Sequence, residues 1–313
     1  MIETIESKTL DTNTKIQYSG STSQIFKIWI LNLLLNIITV GIYGFWGRTR
    51  MRQYIINRLS LSNDNLEYSG TGKELFLGFL KCLPLFIVII ILLNVNLLAS
   101  AVAILIFYFS YIAIYNALRY RASRITWRGI RTKLEGSAIK FTHLNIKRTL
   151  INILTFGFSI PSSQIKIFNY IVNNSYFGNT KFTLTEKKHS LSKTHIITML
   201  LIPLTLGLSR NWYKAKLYRF YCESISFNNI QFEGHHTGLS LLKLNIVNIL
   251  IRIFTLGFGV PFVIQRNINY LTDNISIIGV IDTTNINQSN EEIKKTGEGL
   301  IEFFDIDLDF GLI

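Results

Sequence analysis

The sequence predicts a mainly α-helical membrane protein built from about five degenerate units of roughly fifty residues. Three observations carry this. Apolar residues make up 49% of the 313-residue chain, charged residues only 16%, and mean hydropathy is +0.31; soluble domains carry about 25% charged residues. An aromatic or aliphatic residue, a spacer and a small-residue signal recur at Tyr18-Ser19-Gly20, Tyr68-Ser69-Gly70, Leu134-Glu135-Gly136, Phe182-Thr183-Leu184 and Phe232-Glu233-Gly234, at intervals of 50, 66, 48 and 50 residues. Four of the five apolar stretches that follow end in Thr-x-Gly, at Thr39–Gly41, Thr155–Gly157, Thr205–Gly207 and Thr255–Gly257.

Each unit has four predicted parts: an apolar helix, a break at Thr-x-Gly, an amphipathic basic helix and a short β-hairpin. The breaks are expected at Gly41, Gly157, Gly207 and Gly257, because glycine tolerates the backbone that a break needs. Trp46, Pro161, Trp212 and Pro261 follow them, the two prolines at positions that suit a helix start. Alternating runs around Asn63-Asp64, Gly178-Asn179 and Asn228-Asn229 predict hairpins. Isolated hairpins are marginal in water, so the five are expected to share one sheet.

The second unit is enlarged. Leu75–Leu93 carries one Lys, and Leu97–Leu118 carries no charge. Each matches the roughly 20 residues that cross a bilayer, so the pair predicts a transmembrane hairpin linked at Asn94–Asn96. Parity then bears on the other units: basic tails on one membrane face require an even number of crossings per unit. Lys147 and Arg148, and Lys243 and Arg252, interrupt the third and fifth stretches. Charge in mid-span is costly, so re-entrant or interfacial placement is expected there, with plain alternating crossings the other choice. Residues 18–285 are read as the membrane repeat domain, 1–17 as a polar N-terminal tail without a cleavable signal, and 286–313 as an acidic C-terminal tail.

Net charge is +13, and its placement matters more than its size. Arg48, Arg50 and Arg52 follow the first stretch. Arg119, Arg121, Arg124, Arg128 and Arg131 surround Trp127, and Lys214, Lys216 and Arg219 follow Trp212. Such flanks set cytoplasmic orientation or meet anionic headgroups. Their position beside membrane stretches makes nucleic acid an unneeded partner. His235-His236 is the only histidine pair and reads as a solvated loop pair; neither a metal set nor any other cofactor is expected. Cys82 and Cys222 form no disulfide framework.

The run Phe26-Lys27-Ile28-Trp29 through Leu33–Leu35 to Thr39–Tyr43, with Trp46, the Arg48/Arg50/Arg52 series, Tyr54 and Asn57, resembles the YjgN-like family of bacterial inner-membrane proteins, a family of unknown function. Glu67–Leu75, Arg119–Arg124 with Thr126–Arg128, and Gly297–Asp307 extend the resemblance over nearly the whole chain. Where the family has Pro-Trp, this chain has Phe45-Trp46. The resemblance implies a multi-pass protein of the inner membrane and supplies no catalytic residue.

Two functional classes stay open at this point. One is a non-enzymatic protein that organises membrane or binds anionic lipid. The other is a small-solute transporter or channel built from repeats, whose polar residues would be Asn32, Asn36, Lys147, Arg148, Asn152, Asn245, Asn248 and Arg252. No nucleophile–base pair is apparent, and Gly70-Thr71-Gly72-Lys73 lacks phosphate-loop spacing, so no enzyme is expected. A second copy or another protein is an open partner. If the orientation reading holds, a single cysteine at position 95 labels from the periplasmic side and one at position 50 or 128 from the cytoplasmic side. Labelling of position 95 from the cytoplasmic side alone contradicts it.

Overall fold

The computed structural model describes residues 14–93, 99–185, 191–279 and 286, with the backbone alone at 14, 81–82, 85–93, 99–101 and 103. Five helical hairpins alternate with five pairs of short strands. The hairpins are α1 (Thr22–Ile38) with α2 (Gly44–Ile56), α3 (Gly72–Leu93) with α4 (Ala99–Ser123), α5 (Ala138–Leu154) with α6 (Ile160–Val172), α7 (Leu191–Leu201) with α8 (Arg210–Ser224), and α9 (Gly238–Phe254) with α10 (Val260–Asp273).

The strands close a circle. β1 (Thr14–Lys15) and β2 (Gln17–Tyr18) are two halves of one extended segment, and so are β8 (Thr180–Lys181) and β9 (Thr183–Leu184). Between them run β3 (Leu59–Leu61), β4 (Asp64–Tyr68), β5 (Ile125–Trp127), β6 (Ile130–Leu134) and β7 (Ser175–Phe177); after them come β10 (Ile225–Phe227), β11 (Ile230–Gly234) and β12 (Ile275–Ile278). The orders β2-β3-β4-β5-β6-β7-β8 and β9-β10-β11-β12-β1 share both split segments, so ten extended segments form one closed antiparallel ring. Closure is local: Lys15 lies opposite Ser276 and Thr14 opposite Ile277. A ring has no free edge to pair with another chain.

Alternation along each strand turns one residue inward. Ile16, Leu61, Leu66, Trp127, Ile130, Phe177, Phe182, Phe227, Phe232 and Ile277, with Ile230 and Ile286, pack into one cluster. The ring is therefore a filled barrel. Trp127 is buried, and its indole N–H donates to the Asp64 carbonyl at 3.2 Å. It stands inside the barrel because Arg128-Gly129 makes the tight turn just after it, so it is no headgroup contact.

The helices close a second circle in chain order. Ile25, Tyr54 and Ile55 pack against Ile268 of the last hairpin, Trp29 meets Phe258 edge-on at 6.0 Å, and Gln265 donates to the Gly20 carbonyl at 3.0 Å. A tyrosine late in the second helix ties down the start of its partner. Tyr54 accepts from the Ser21 N–H and Tyr170 from the Ser137 N–H, Tyr270 pairs with the Ser240 hydroxyl, and Tyr120 donates to Glu74. Phe220 takes this place in the fourth unit and has no hydroxyl.

The structure corrects several expectations. Strand ends place Tyr18, Tyr68, Leu134, Leu184 and Gly234 in register. Phe182 and Phe232 are barrel residues two places earlier, and the corrected intervals are 50, 66, 50 and 50. The first hairpin turns at Ser62-Asn63, both at positive φ, and Asp64 already belongs to the strand. Of the extended segment Thr14–Tyr18, all but Tyr18 belongs to the stretch read as a polar tail. His236 is not solvated: it is 1% exposed, between the rings of Tyr218 and Tyr270. Units one and two carry Tyr-x-Gly here, with the tyrosine ring lying over Gly20 or Gly70. The fifth carries Gly234-x-His236, so the ring and the space have exchanged places. The link 94–98, residues 1–13 and residues 287–313 fall outside the described residues.

Burial lowers the His236 pKa from 6.5 to about 4, helped by His235 and Arg219. The folded imidazole is thus neutral where the unfolded one charges, so its contribution is present above about pH 6.5 and is lost as pH falls toward 4. His236→Phe should flatten the loss of thermal stability across that window; an unchanged pH profile contradicts this. Trp127→Ala should cost about 3–5 kcal/mol in denaturant unfolding by leaving a cavity in the barrel.

Candidate functional site

The ends of the helical hairpins form the most unusual surface of the molecule. In three units the first helix stops at the Thr, while α7 stops at Leu201 and turns lead on to Thr205; in all four the residue after the Thr is left-handed: Val40, Phe156, Leu206 and Leu256 have φ of 48 to 50°. Gly41, Gly157, Gly207 and Gly257 follow at φ of 86 to 91°. Each glycine N–H returns to the carbonyl five residues back, on Asn36, Asn152, Ile202 and Arg252, as in the Schellman stop. The Thr side chain joins the two helices. Thr255 Oγ1 donates to the Ile251 carbonyl at 2.6 Å and accepts from the Gly259 N–H at 2.7 Å. Thr39, Thr155 and Thr205 bond the same way, with Tyr43, Ser159 and Ser209 as the second partner.

The left-handed position normally takes glycine; a branched or bulky side chain there costs about 1–3 kcal/mol. Here four apolar side chains occupy it and are 82 to 93% exposed. Ile37, Ile38, Leu154, Leu204 and Phe254 beside them are exposed as well, and exposure continues along the first helices through Leu31, Leu34, Leu150, Leu200, Ile249 and Leu250. An apolar surface of this extent marks contact with lipid or another protein.

Below this rim lie two rows of basic residues. Twelve residues before each Thr stand Lys27, His143, Lys193 and Lys243; eleven after it stand Arg50, Lys166, Lys216 and Arg266. All are exposed except Lys216, which is half-buried. Among the described residues the helices hold three acids, Glu74, Glu223 and Asp273, all within the helix turn next to the β ring. Of these cations the sequence reading had singled out Arg50, Lys216 and Lys243. Counting from the Thr-x-Gly positions would have found the rest.

The other predicted basic residues divide. Arg119 donates to the Leu134 and Gly136 carbonyls and lies over Tyr115. Arg124 is buried against Glu74 at 2.8 Å, and Arg128 meets Asp64 at 2.6 Å over the Trp127 ring. These three brace the return of α4 to the barrel, Arg119 through backbone carbonyls and Arg124 and Arg128 through acids. Arg121, Arg131, Arg48 and Arg52 are half-buried and engaged within the protein. Trp212, Lys214 and Arg219 are exposed on α8.

Four of the eight polar residues nominated for a solute path bond to neighbouring helices or their ends. Asn32 donates to the Gly47 carbonyl, Asn152 accepts from Ser159 and Ser163, Asn245 donates to Asn211, and Asn248 bridges Asn267 and Arg266. No group of three or more potential metal-binding side chains occurs among the described residues. Nor, among them, is any helix long and apolar enough to cross a membrane; the apolar run 85–93 of α3 is described by its backbone alone.

Gly207 and Gly257 share one geometry, and a Cβ at either would meet open space. The structure predicts equal losses for Gly207→Leu and Gly257→Leu, about 1–2 kcal/mol each from the left-handed backbone, although a proline follows only the second. A clear difference in thermal stability between them would contradict it.

The family model for bacterial proteins of unknown function, DUF898, matches residues 13–209 and 191–303. Inner membrane protein YjgN of Salmonella typhimurium (strain LT2) is 34% identical over 76 residues, covering 24% of this chain and 19% of the relative. The proteins of that name from Escherichia coli O157:H7 and strain K12 are 26% and 23% identical over 121 and 116 residues, each match covering 36% of this chain and 29% of the relative. The matched part thus spans less than a third of each relative's length. No solved structure matches. The chain belongs to the DUF898 family of bacterial proteins of unknown function.

Proposed function

We propose that this protein is a non-enzymatic component of the bacterial inner membrane that binds anionic lipid and organises the lipid around it. The carrying observation is the strained apolar rim set above two rows of cations in helices almost free of acid. A membrane surface has this order: hydrocarbon for Val40, Phe156, Leu206 and Leu256, then phosphates for Lys27, Lys193 and Lys243. The names of the relatives support the inner membrane as its place. Each cation near an anionic leaflet contributes about 1 kcal/mol, and exposed apolar helix faces add to it.

Transport through the centre is less well supported. The barrel is filled by its own side chains, and four of the nominated polar residues, Asn32, Asn152, Asn245 and Asn248, bond to neighbouring helices. A conduction path along the ring axis would have to displace Trp127, Phe177 and Phe227.

The exposed lysines of the first row give the test. In nanodiscs of equal phosphatidylglycerol and phosphatidylcholine, native mass spectrometry should show preferential retention of phosphatidylglycerol. Lys27→Gln, Lys193→Gln and Lys243→Gln together should reduce that preference by at least about tenfold, at about 1 kcal/mol per cation. Equal retention by the folded variant would overturn the proposal.

A further inference from the structure

The second unit departs from the other four in three independent ways. Its helices have 22 and 25 residues, against 17 and 13 in the first unit. At about 1.5 Å per residue these are roughly 33 and 38 Å against 25 and 20 Å. Register from Tyr68 puts Leu77 where the others have Lys27, His143, Lys193 and Lys243. Register from Tyr120 puts Asn116 where they have Arg50, Lys166, Lys216 and Arg266. Added length and the absence of a basic residue at both register positions coincide in one hairpin, whose α3 carries its Lys one turn further from the ring, at Lys81.

The four short hairpins are limited in reach. Each leaves the β ring and returns to it, so it makes no net crossing. From Lys27 to Thr39 the first helix advances about 18 Å, close to half of a hydrocarbon core about 30 Å thick. Pushing a rim past the midplane would drag its cations into hydrocarbon, at about 2.5–3.5 kcal/mol each. Arg252 and Arg210, each four residues from its rim leucine, limit the last two hairpins further.

We infer that the four short hairpins occupy only the leaflet on the β-ring side, while the α3–α4 hairpin reaches deeper, so that the protein expands one leaflet and concentrates on curved anionic membranes. This rests on the lipid reading above. Eight helices of about 10 Å diameter add on the order of 600 Å² to one leaflet, with no matching insertion opposite from those units. Interfacial insertion of this kind is sensitive to curvature. The strained rim fits this role, since an apolar side chain at the hairpin apex reaches furthest into the leaflet.

Full-length labelled protein, reconstituted into tethered vesicles of one phosphatidylglycerol–phosphatidylcholine composition and many diameters, tests the inference. Protein density should be at least about threefold higher on the smallest vesicles than on the largest; equal density overturns it. One-leaflet placement is tested in cells, in a background lacking Cys82 and Cys222. Ser62→Cys, in an exposed hairpin turn of the ring, marks the ring side. Leu206→Cys and Leu256→Cys should not react with an impermeant maleimide applied from the opposite side, and labelling from there overturns the placement. Density that ignores phosphatidylglycerol content at fixed diameter counts against the lipid reading instead, which separates the two failures.

Discussion

Pairing of the first described strand with the last fixes the molecule. Lys15 and Ser276 are far apart in sequence, yet their contact converts a row of five hairpin units into a circle. Without it both terminal units would present an unpaired strand edge, and the apolar barrel residues at the seam would face water. With it every strand has two neighbours and the inward side chains fill the interior. The helical hairpins inherit the circular order, which arranges the Thr-x-Gly turns as a rim and the cations as belts. The surface chemistry is therefore a consequence of β closure, although the strands contribute few residues to that surface.

Repetition also shows which features each unit needs. The Thr side chain recurs because its hydroxyl links a last carbonyl of one helix to an N–H at the start of the next. Glycine recurs after it because that residue lies near φ 90°. The residue between them is left-handed too, near φ 50°, so glycine would serve the turn better. That all four copies carry a large apolar side chain there, at a conformational cost and facing outward, is the strongest physical sign that the rim meets something apolar. The barrel in turn carries no such sign: its residues are what a packed interior requires.

Much of this plan could be read from the chain. The spacing of Tyr68 and Leu134, the four Thr-x-Gly sites and the Asn228-Asn229 turn identify units, breaks and hairpins from local chemistry alone. What escaped depended on contacts between distant residues. Trp127 looks like an interfacial tryptophan in a basic segment until the barrel encloses it. Arg124 looks like a topology signal until Glu74, fifty residues away, is brought against it. His236 looks solvated beside His235 because nothing local announces that Tyr218 and Tyr270 will cover it. Phe182 and Phe232 passed for unit openers because strand alternation, invisible without a register, decides which aromatic faces the barrel. The cation rows were within reach of the sequence, but only once the units were aligned on their turns rather than on their openings.

Closure of the ring is the central claim, and it has a direct measurement. Lys15→Cys and Ser276→Cys, placed together in a chain lacking Cys82 and Cys222, should be joined by a short thiol cross-linker in native membranes. The product should be an intramolecular loop with altered gel mobility and no change in mass beyond the linker. Either single substitution should give none. Absence of the loop in the folded protein, or a product only between two chains, would mean that the strands do not close on themselves, and the circular arrangement of rim and cations would fall with it.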